Sequence, residues 1–371
     1  MNFIGVDLVS EKIRISHVFP IEYGQSAFNT SLNNNKDEIY NEARNNLSPC
    51  LNMMYFDKRE VLREYAKLIF QSIIENDPNL IYKPETGNSN FVICVTTSPL
   101  YHENYEAAET KEMLTFLQEE VGFKAPIIHI TKNQAICSRL SENNFSDKYF
   151  LIQIGTATID FIAYQEKYII DELCWGENCG TNMIVDKLVE YGYTKAEEKD
   201  ENIENMLIAI RERESLGLPS TESYIINAVS LELYDYFRRD YSYSSLVIEI
   251  NMIELVPNWQ KKTQKAFSLI LEPTELDTVL DDFISKLSLS LSNAAKKNKD
   301  FGFHPNKIIL LEEHKIPFIK EMVKKAFPNI EIIDDDNYDF MISEGAALYA
   351  QRLYSKDVSK NSFPKTLTKH I

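Results

Sequence analysis

Tyr149-Phe150-Leu151-Ile152-Gln153-Ile154-Gly155-Thr156-Ala157-Thr158-Ile159-Asp160 is the stretch on which the fold turns. An apolar run meets a tight turn at Gly155-Thr156-Ala157 and re-emerges as a second β-patterned run, Thr158 to Tyr164, with a third at Lys167 to Leu173. The chain opens in the same way. Phe3 to Leu8 and Lys12 to Val18 are short β-patterned runs, the second with Ile13, Ile15 and His17 on one side, and Val9-Ser10-Glu11 separates them. The two hairpins lie about 146 residues apart, so Asp7 aligns with Gln153 and Phe3 with Tyr149, the mark of a duplicated architecture.

Strand and helix signals alternate after each hairpin. In the first half an amphipathic pattern covers Lys58 to Asn76, followed by a strand at Phe91 to Val95, a helix at Asn104 to Val121, a strand at Ala125 to Ile130 and a short helix at Asn133 to Leu140. In the second half helices are expected at Thr181 to Tyr191 and Glu197 to Leu216, then mixed chain from Ser223 to Leu255. A long helix at Glu275 to Lys297 with Thr274 as its N-cap comes next, then a strand at Lys307 to Leu311 and helices at Pro317 to Phe327 and Met341 to Tyr354. This order predicts an α/β protein in two units, 1–147 and 148–354, with a tail at 355–371.

Composition narrows the class. The 371 residues are 44% hydrophobic, enough for about two domains with their own cores. Against 39 Lys and Arg stand 56 Asp and Glu, a net charge of -17, which argues against nucleic acid or an anionic membrane as partner. The N-terminus lacks the cationic and apolar regions of a signal peptide, and no apolar run is long enough to span a membrane. Five scattered cysteines, Cys50, Cys94, Cys137, Cys174 and Cys179, read as buried free thiols in a reducing cytoplasm. Only 11 residues are glycine, where average usage of about 7% would give roughly 26.

Several stretches in order resemble the nucleotide-binding domain of the DnaK-type seventy-kilodalton heat-shock chaperones, of the actin-like ATPase superfamily, whose two lobes are ribonuclease H-like. Phe3 to Leu8 is similar to the family's first phosphate hairpin, and Gln153 to Asp160 to the second, D-L-G-G-G-T-x-D. Val92 to Thr97 resembles V-I-x-V-P-A, and Ile127 to Ile136 resembles I-I-N-E-P-T-A-A-A-I. Cys179-Gly180, Arg211 to Gly217, Leu310 to Pro317 and Ser343 to Ala347 resemble the family's G-G-x-x-F-D, R-A-K-x-x-L-S, V-G-G-S-x-R-I-P and A-x-G-A-A segments.

The resemblance implies ATP or ADP in the interlobe cleft, with Mg²⁺ held through water by Asp7 and Asp160, the two candidate catalytic carboxylates. It makes Ser10, Gly155, Thr156, Thr158, Gly180 and Gly345 candidate cofactor-binding residues, and Arg213 and Lys315 the adenosine-side cations. Departures from the pattern fall at the chemistry. Gln153 stands where the family has an acid, Ile130 where it has the glutamate of I-N-E-P, and Leu311-Glu312 where it has two glycines. Val9, Thr156-Ala157 and Cys179 replace further glycines, and no counterpart of the catalytic lysine is found. Lys132, two residues past Ile130, could neutralise a phosphate without metal.

The expected function is therefore a divergent, chaperone-like nucleotide-binding protein with slow or absent hydrolysis and an unidentified protein partner. A pseudo-ATPase scaffold and an actin-like filament former are the alternatives. Only a short Lys-bearing stretch follows Tyr354, so direct clamping of peptides is not expected.

Overall fold

In the computed structural model of the chain, the described residues are 2–7, 14–18, 27–31, 81–83, 85–86, 88–97, 125–142, 148–155, 158–165, 168–197, 200–215, 221–238, 245–256, 259–260, 264–312, 315–334, 340–354 and 365–366. The expected helices at Lys58 to Asn76 and Asn104 to Val121 lie outside them. So do Ser10, Thr156 and most of 355–371.

The opening hairpin is β1 (Asn2–Asp7) and β2 (Arg14–Val18), extended by β3 (Ala27–Ser31). β4 (Tyr82–Lys83) and β5 (Asn88–Ser89) form a two-residue ladder before β6 (Phe91–Thr97) and β7 (Ile127–Thr131), which lead directly into helix α1 (Lys132–Glu142). Thr131 and Gln134 close the start of α1 reciprocally. Gln134 N–H donates to Thr131 Oγ1 at 3.2 Å and Thr131 N–H to Gln134 Oε1 at 3.0 Å, the capping-box arrangement.

The second half begins with β8 (Lys148–Ile154) and β9 (Ile159–Gln165). Of the expected third strand, Lys167 to Leu173, only β10 (Tyr168–Ile169) is extended; a single 3-10 turn takes Asp171–Leu173, and a further strand, β11 (Trp175–Glu177), follows beyond it. Helices α2 (Asn182–Glu197), α3 (Asp200–Ser215) and α4 (Thr221–Arg238) follow, then β12 (Leu246–Asn251), the short α5 (Met252–Leu255) and β13 (Lys265–Leu271). The stretch expected as mixed chain thus contains an 18-residue helix, α4, whose Tyr234 and Tyr236 are buried in the core.

The long helix α6 (Pro273–Phe301) is capped by Glu272 and Glu275, not by Thr274, with Pro273 in the first turn where its missing N–H is harmless. It stops at Gly302, which takes the left-handed conformation at φ 76°. β14 (Lys307–Glu312), α7 (Ile319–Ala326), β15 (Glu331–Ile333) and α8 (Met341–Tyr354) complete the order. Two residues of the expected tail, β16 (Lys365–Thr366), pair with β10.

The architecture is α/β with two mixed sheets sharing one strand order. The first runs β3-β2-β1-β6-β7, and the second runs β15-β14-β8-β9 with β10 and β11 both on the far edge of β9. In each, the hairpin is antiparallel and the crossover strands are parallel to the first strand. The hairpins also share register. Asp7 faces Arg14 and Gln153 faces Asp160, so the displacement that aligns Asp7 with Gln153 aligns Arg14 with Asp160.

Alternation along the strands explains the layering. Tyr149 and Leu151 of β8 point into one core with Phe3, Val92 and Ile130 of the first sheet, while Phe150, Ile152 and Ile154 point into the other with α2, α4 and α6. α1 and α8 fill the space between the sheets through Ala135, Ile136, Leu140, Met341, Ile342, Ala346 and Ala350. The last helix of the expected second lobe therefore packs on the first sheet.

Two glycines permit that layer. A Cβ on Gly345 would collide with the carbonyl oxygen of Ala135 on α1, and one on Gly5 would collide with the Ser343 carbonyl and lie 2.6 Å from the Ala347 amide nitrogen. Substituting either by Ala should destabilise the protein by about 1–3 kcal/mol, as overpacking of backbone against backbone does. Gly302→Ala, where space is open and only φ is unfavourable, should cost roughly 1–2 kcal/mol. Urea unfolding of the three variants measures both.

Candidate functional site

The carboxyl ends of the parallel strands carry the polar residues of both inner faces. In the first sheet one row reads Arg14, Asp7, Thr96 and Ile130 across β2, β1, β6 and β7. In the second the row reads Asp160, Gln153 and Leu311 across β9, β8 and β14. Crevices at such strand ends are where ligands of open α/β sheets bind. Asp7 is wholly buried and accepts a 3.4 Å hydrogen bond from Thr96 Oγ1.

Lys132, the first residue of α1, joins the rows. Its Nζ lies 3.8 Å from Asp160 Oδ2, and the two residues are 2% and 1% exposed. Thr158 Oγ1 is 3.4 Å from the same carboxylate. Beside them stand two amides, Gln153 at 4% and Asn133 at 8% exposure, whose Oε1 and Oδ1 atoms make no hydrogen bond. Unmade hydrogen bonds of buried polar groups cost about 1–3 kcal/mol each, so such groups call for a physical reason.

The second hairpin's turn is tied to the start of α2. Gly155 N–H donates to the Thr158 carbonyl at 2.9 Å, and Thr181 N–H donates to the Gly155 carbonyl at 3.1 Å, with Gly180 buried alongside. Asp7, Gly155, Thr158, Asp160 and Gly180 thus stand at the strand ends and the adjoining helix start, as the sequence places them.

The remaining candidates sit elsewhere. Arg213 Nη1 donates to the Leu255 carbonyl at 2.6 Å, and its guanidinium lies over the Tyr224 ring, 5.4 Å from the centroid. Burial lowers its pKa, and it serves to close α5 rather than to face a ligand. Gly345 is occupied by the α1 backbone, leaving no room for a cofactor. Lys315 is half exposed and lies 3.5 Å from Asp334, which also holds Lys320 at 3.2 Å. Next to them Glu312 accepts a 3.3 Å hydrogen bond from Ile316 N–H, while burial and then Asp334 push its carboxyl up to about 8.

The donor set does not suit a resident Mg²⁺. Among the described residues no three His, Cys, Asp or Glu converge. Of the two buried carboxylates in the rows, Asp160 is held by Lys132, and the place equivalent to Asp7 in the second hairpin is the neutral Gln153. Hard dications take carboxylates that are not already neutralised. The four described cysteines are buried and in no disulfide, and burial raises the thiol of Cys179 to about 11 and those of Cys94 and Cys137 further, so these three are not nucleophiles.

Sequence reasoning passed over Arg14 and Thr96. Both are polar residues at strand ends, Arg14 on the face opposite Ile15 and His17, and that phase was the available signal. An open groove of about 270 Å³ between α2 and α6, lined by Lys187, Glu190, Tyr191 and Asp282, lies away from these rows. No helix among the described residues is long and apolar enough to cross a membrane. No protein-family model matches the chain, and no curated protein is significantly similar to it.

Two outcomes follow from the buried charges. Lys132→Ala leaves Asp160 without its cation and should cost about 3–5 kcal/mol in urea unfolding. For Glu312, a folded pKa of about 8 above the ordinary 4.5 means that its contribution is fully present below pH 4.5 and is lost as pH rises towards 8. Stability measured across that window should fall for the wild type and fall less for Glu312→Gln.

Proposed function

We infer that this is an actin-fold nucleotide-binding protein, chaperone-like in plan, which takes ATP or ADP between its two sheets and hydrolyses it slowly or not at all. The observation that carries this reading is the shared strand order and hairpin register of the two sheets, with Asp7, Thr96, Gln153 and Asp160 at their strand ends and Lys132 paired across to Asp160. Two facing hairpins offer amides and hydroxyls to phosphates. Phosphoryl transfer asks for positioned charge on metal and attacking water, and here Gln153 and Ile130 are neutral while Asp160 is committed to Lys132. Ligand between the sheets would bias their approach, the basis of a conformational switch acting on a protein partner.

The Lys132–Asp160 pair also favours a second reading, a pseudo-ATPase scaffold in which that internal bridge has replaced the ligand. Thermal-shift titration with ATP and ADP, each with and without Mg²⁺, separates them. The switch requires a rise in melting temperature with at least one nucleotide, together with turnover far below the range of about 1–100 s⁻¹ seen for kinases. Melting temperatures unmoved at millimolar nucleotide would leave the scaffold.

A further inference from the structure

We propose that the cleft takes its phosphate-bearing ligand without a divalent metal, on Lys132 and Arg14, and that Asp160 is a built-in anion which the ligand displaces. This rests on the nucleotide reading for the identity of the ligand, but its chemistry stands on the anion site itself.

Lys132 opens α1, an 11-residue helix, so its ammonium and the helix's first N–H groups face the same end. Thr131 and Gln134 occupy each other's amides at this terminus, while the side chain of Lys132 crosses to the second sheet. Arg14 is the other buried cation of the rows, 8% exposed and opposite Asp7 on the inner face that carries Ser16, whose hydroxyl meets Ser343 on α8.

The independent sign of a ligand is a pair of buried amide oxygens without hydrogen-bond partners, Gln153 Oε1 and Asn133 Oδ1. Gln153 is the cross-strand neighbour of Asp160, and Asn133 follows Lys132. A carboxamide carries both an acceptor oxygen and a donor NH2 group, and rotation about its terminal torsion turns the donor towards a phosphate oxygen. Lys132 and the amide of Gln153 flank Asp160 directly, with Arg14 farther along, on the inner face of the first sheet. A carboxylate at this place is an anionic hydrogen-bond acceptor, as a phosphate oxygen is.

A magnesium-dependent site is built the other way, from carboxylates left free for the metal's water shell. In this chain the position equivalent to Asp7 is the neutral Gln153, and the position equivalent to Asp160 is the cation Arg14. Displacement of Asp160 would also release a bridge between the two sheets, so ligand binding and a change in their approach are one event.

The test is a thermal-shift and calorimetric titration of the full chain with tripolyphosphate, ATP and ADP, in EDTA and in Mg²⁺. Tripolyphosphate and ATP should bind in EDTA at least as tightly as in Mg²⁺. Asp160→Asn, which removes the resident anion, should tighten binding in EDTA. The double variant Lys132→Met/Asp160→Asn removes both charges without leaving a buried one unpaired, and should weaken binding on the order of tenfold or more. Arg14→Gln should weaken it as well. ATP binding only with Mg²⁺ would overturn this inference and leave the nucleotide reading standing. Binding of tripolyphosphate but not of ATP or ADP in EDTA would keep the anion site and defeat the nucleotide reading. Binding of none of the three would defeat both.

Discussion

Helices α1 and α8 meet backbone to backbone at Ala135 and Gly345, and α8 meets β1 in the same way at Ser343 and Gly5. No side chain intervenes at either point, so the helical layer between the sheets is as thin as two helices can make it. Ala346, Ala347 and Ala350 continue the small-residue surface. Polar ties hold the layer in register: Ser16 Oγ to Ser343 Oγ at 2.7 Å, Arg139 Nε to Glu344 at 2.6 Å, and Arg352 Nη2 to the Ser138 carbonyl at 3.1 Å. A thicker layer would carry the two sheets apart and with them the ends of β7 and β9, across which Lys132 and Asp160 pair.

That pair sets the electrostatics where the strand ends of the two sheets meet. A buried ion pair returns little net stability against a well-packed apolar alternative, since both charges lose water, but losing one partner strands the other. Its effect is therefore on specificity: it fixes which ends of which sheets oppose each other, and it occupies a carboxylate that metal-dependent chemistry would need free. The two hairpins match in register yet differ in charge, with Asp7 and Arg14 in one where Gln153 and Asp160 stand in the other. One scaffold has thus been filled with charges of a different arrangement at its two equivalent ends.

Much of the fold was legible because its strands and helices have strong periodicity. Met341 to Tyr354 was bounded as it stands in the structure, and β6, β8, β14 and α1 were found within two residues at their ends. Other readings failed for local reasons. The run through Ser223 to Arg238 is helical although rich in β-branched and aromatic residues, because its face packs on α2 and the β12–β13 ribbon, and tertiary burial outweighs propensity. Thr274 was read as the cap of α6, but Glu272 takes that place and leaves Pro273 and Thr274 inside the first turn. For the candidate site, Asp7, Thr158, Asp160 and the glycines of the second hairpin were legible from their repeated context. Arg213 and Gly345 were placed near a ligand by the family segments they resemble, and in the structure Arg213 is hydrogen-bonded to the Leu255 carbonyl and Gly345 packs on the α1 backbone.

By itself the sequence determined the alternation of strand and helix, the repeated hairpin and the shortage of glycine, because periodicity and turn chemistry are local and each is written in contiguous residues. Only the tertiary structure decided which charges meet. Lys132 and Asp160 lie on different sheets, Arg14 shares an inner face with Asp7 through strand pairing, and Gln153 and Asn133 become costly only when burial removes water from them. Coulomb energy and desolvation depend on distance and exposure rather than on order along the chain. The glycines show the same division: their number was visible at once, but that Gly5 and Gly345 serve to bring helix against strand and helix against helix required the backbones that meet there.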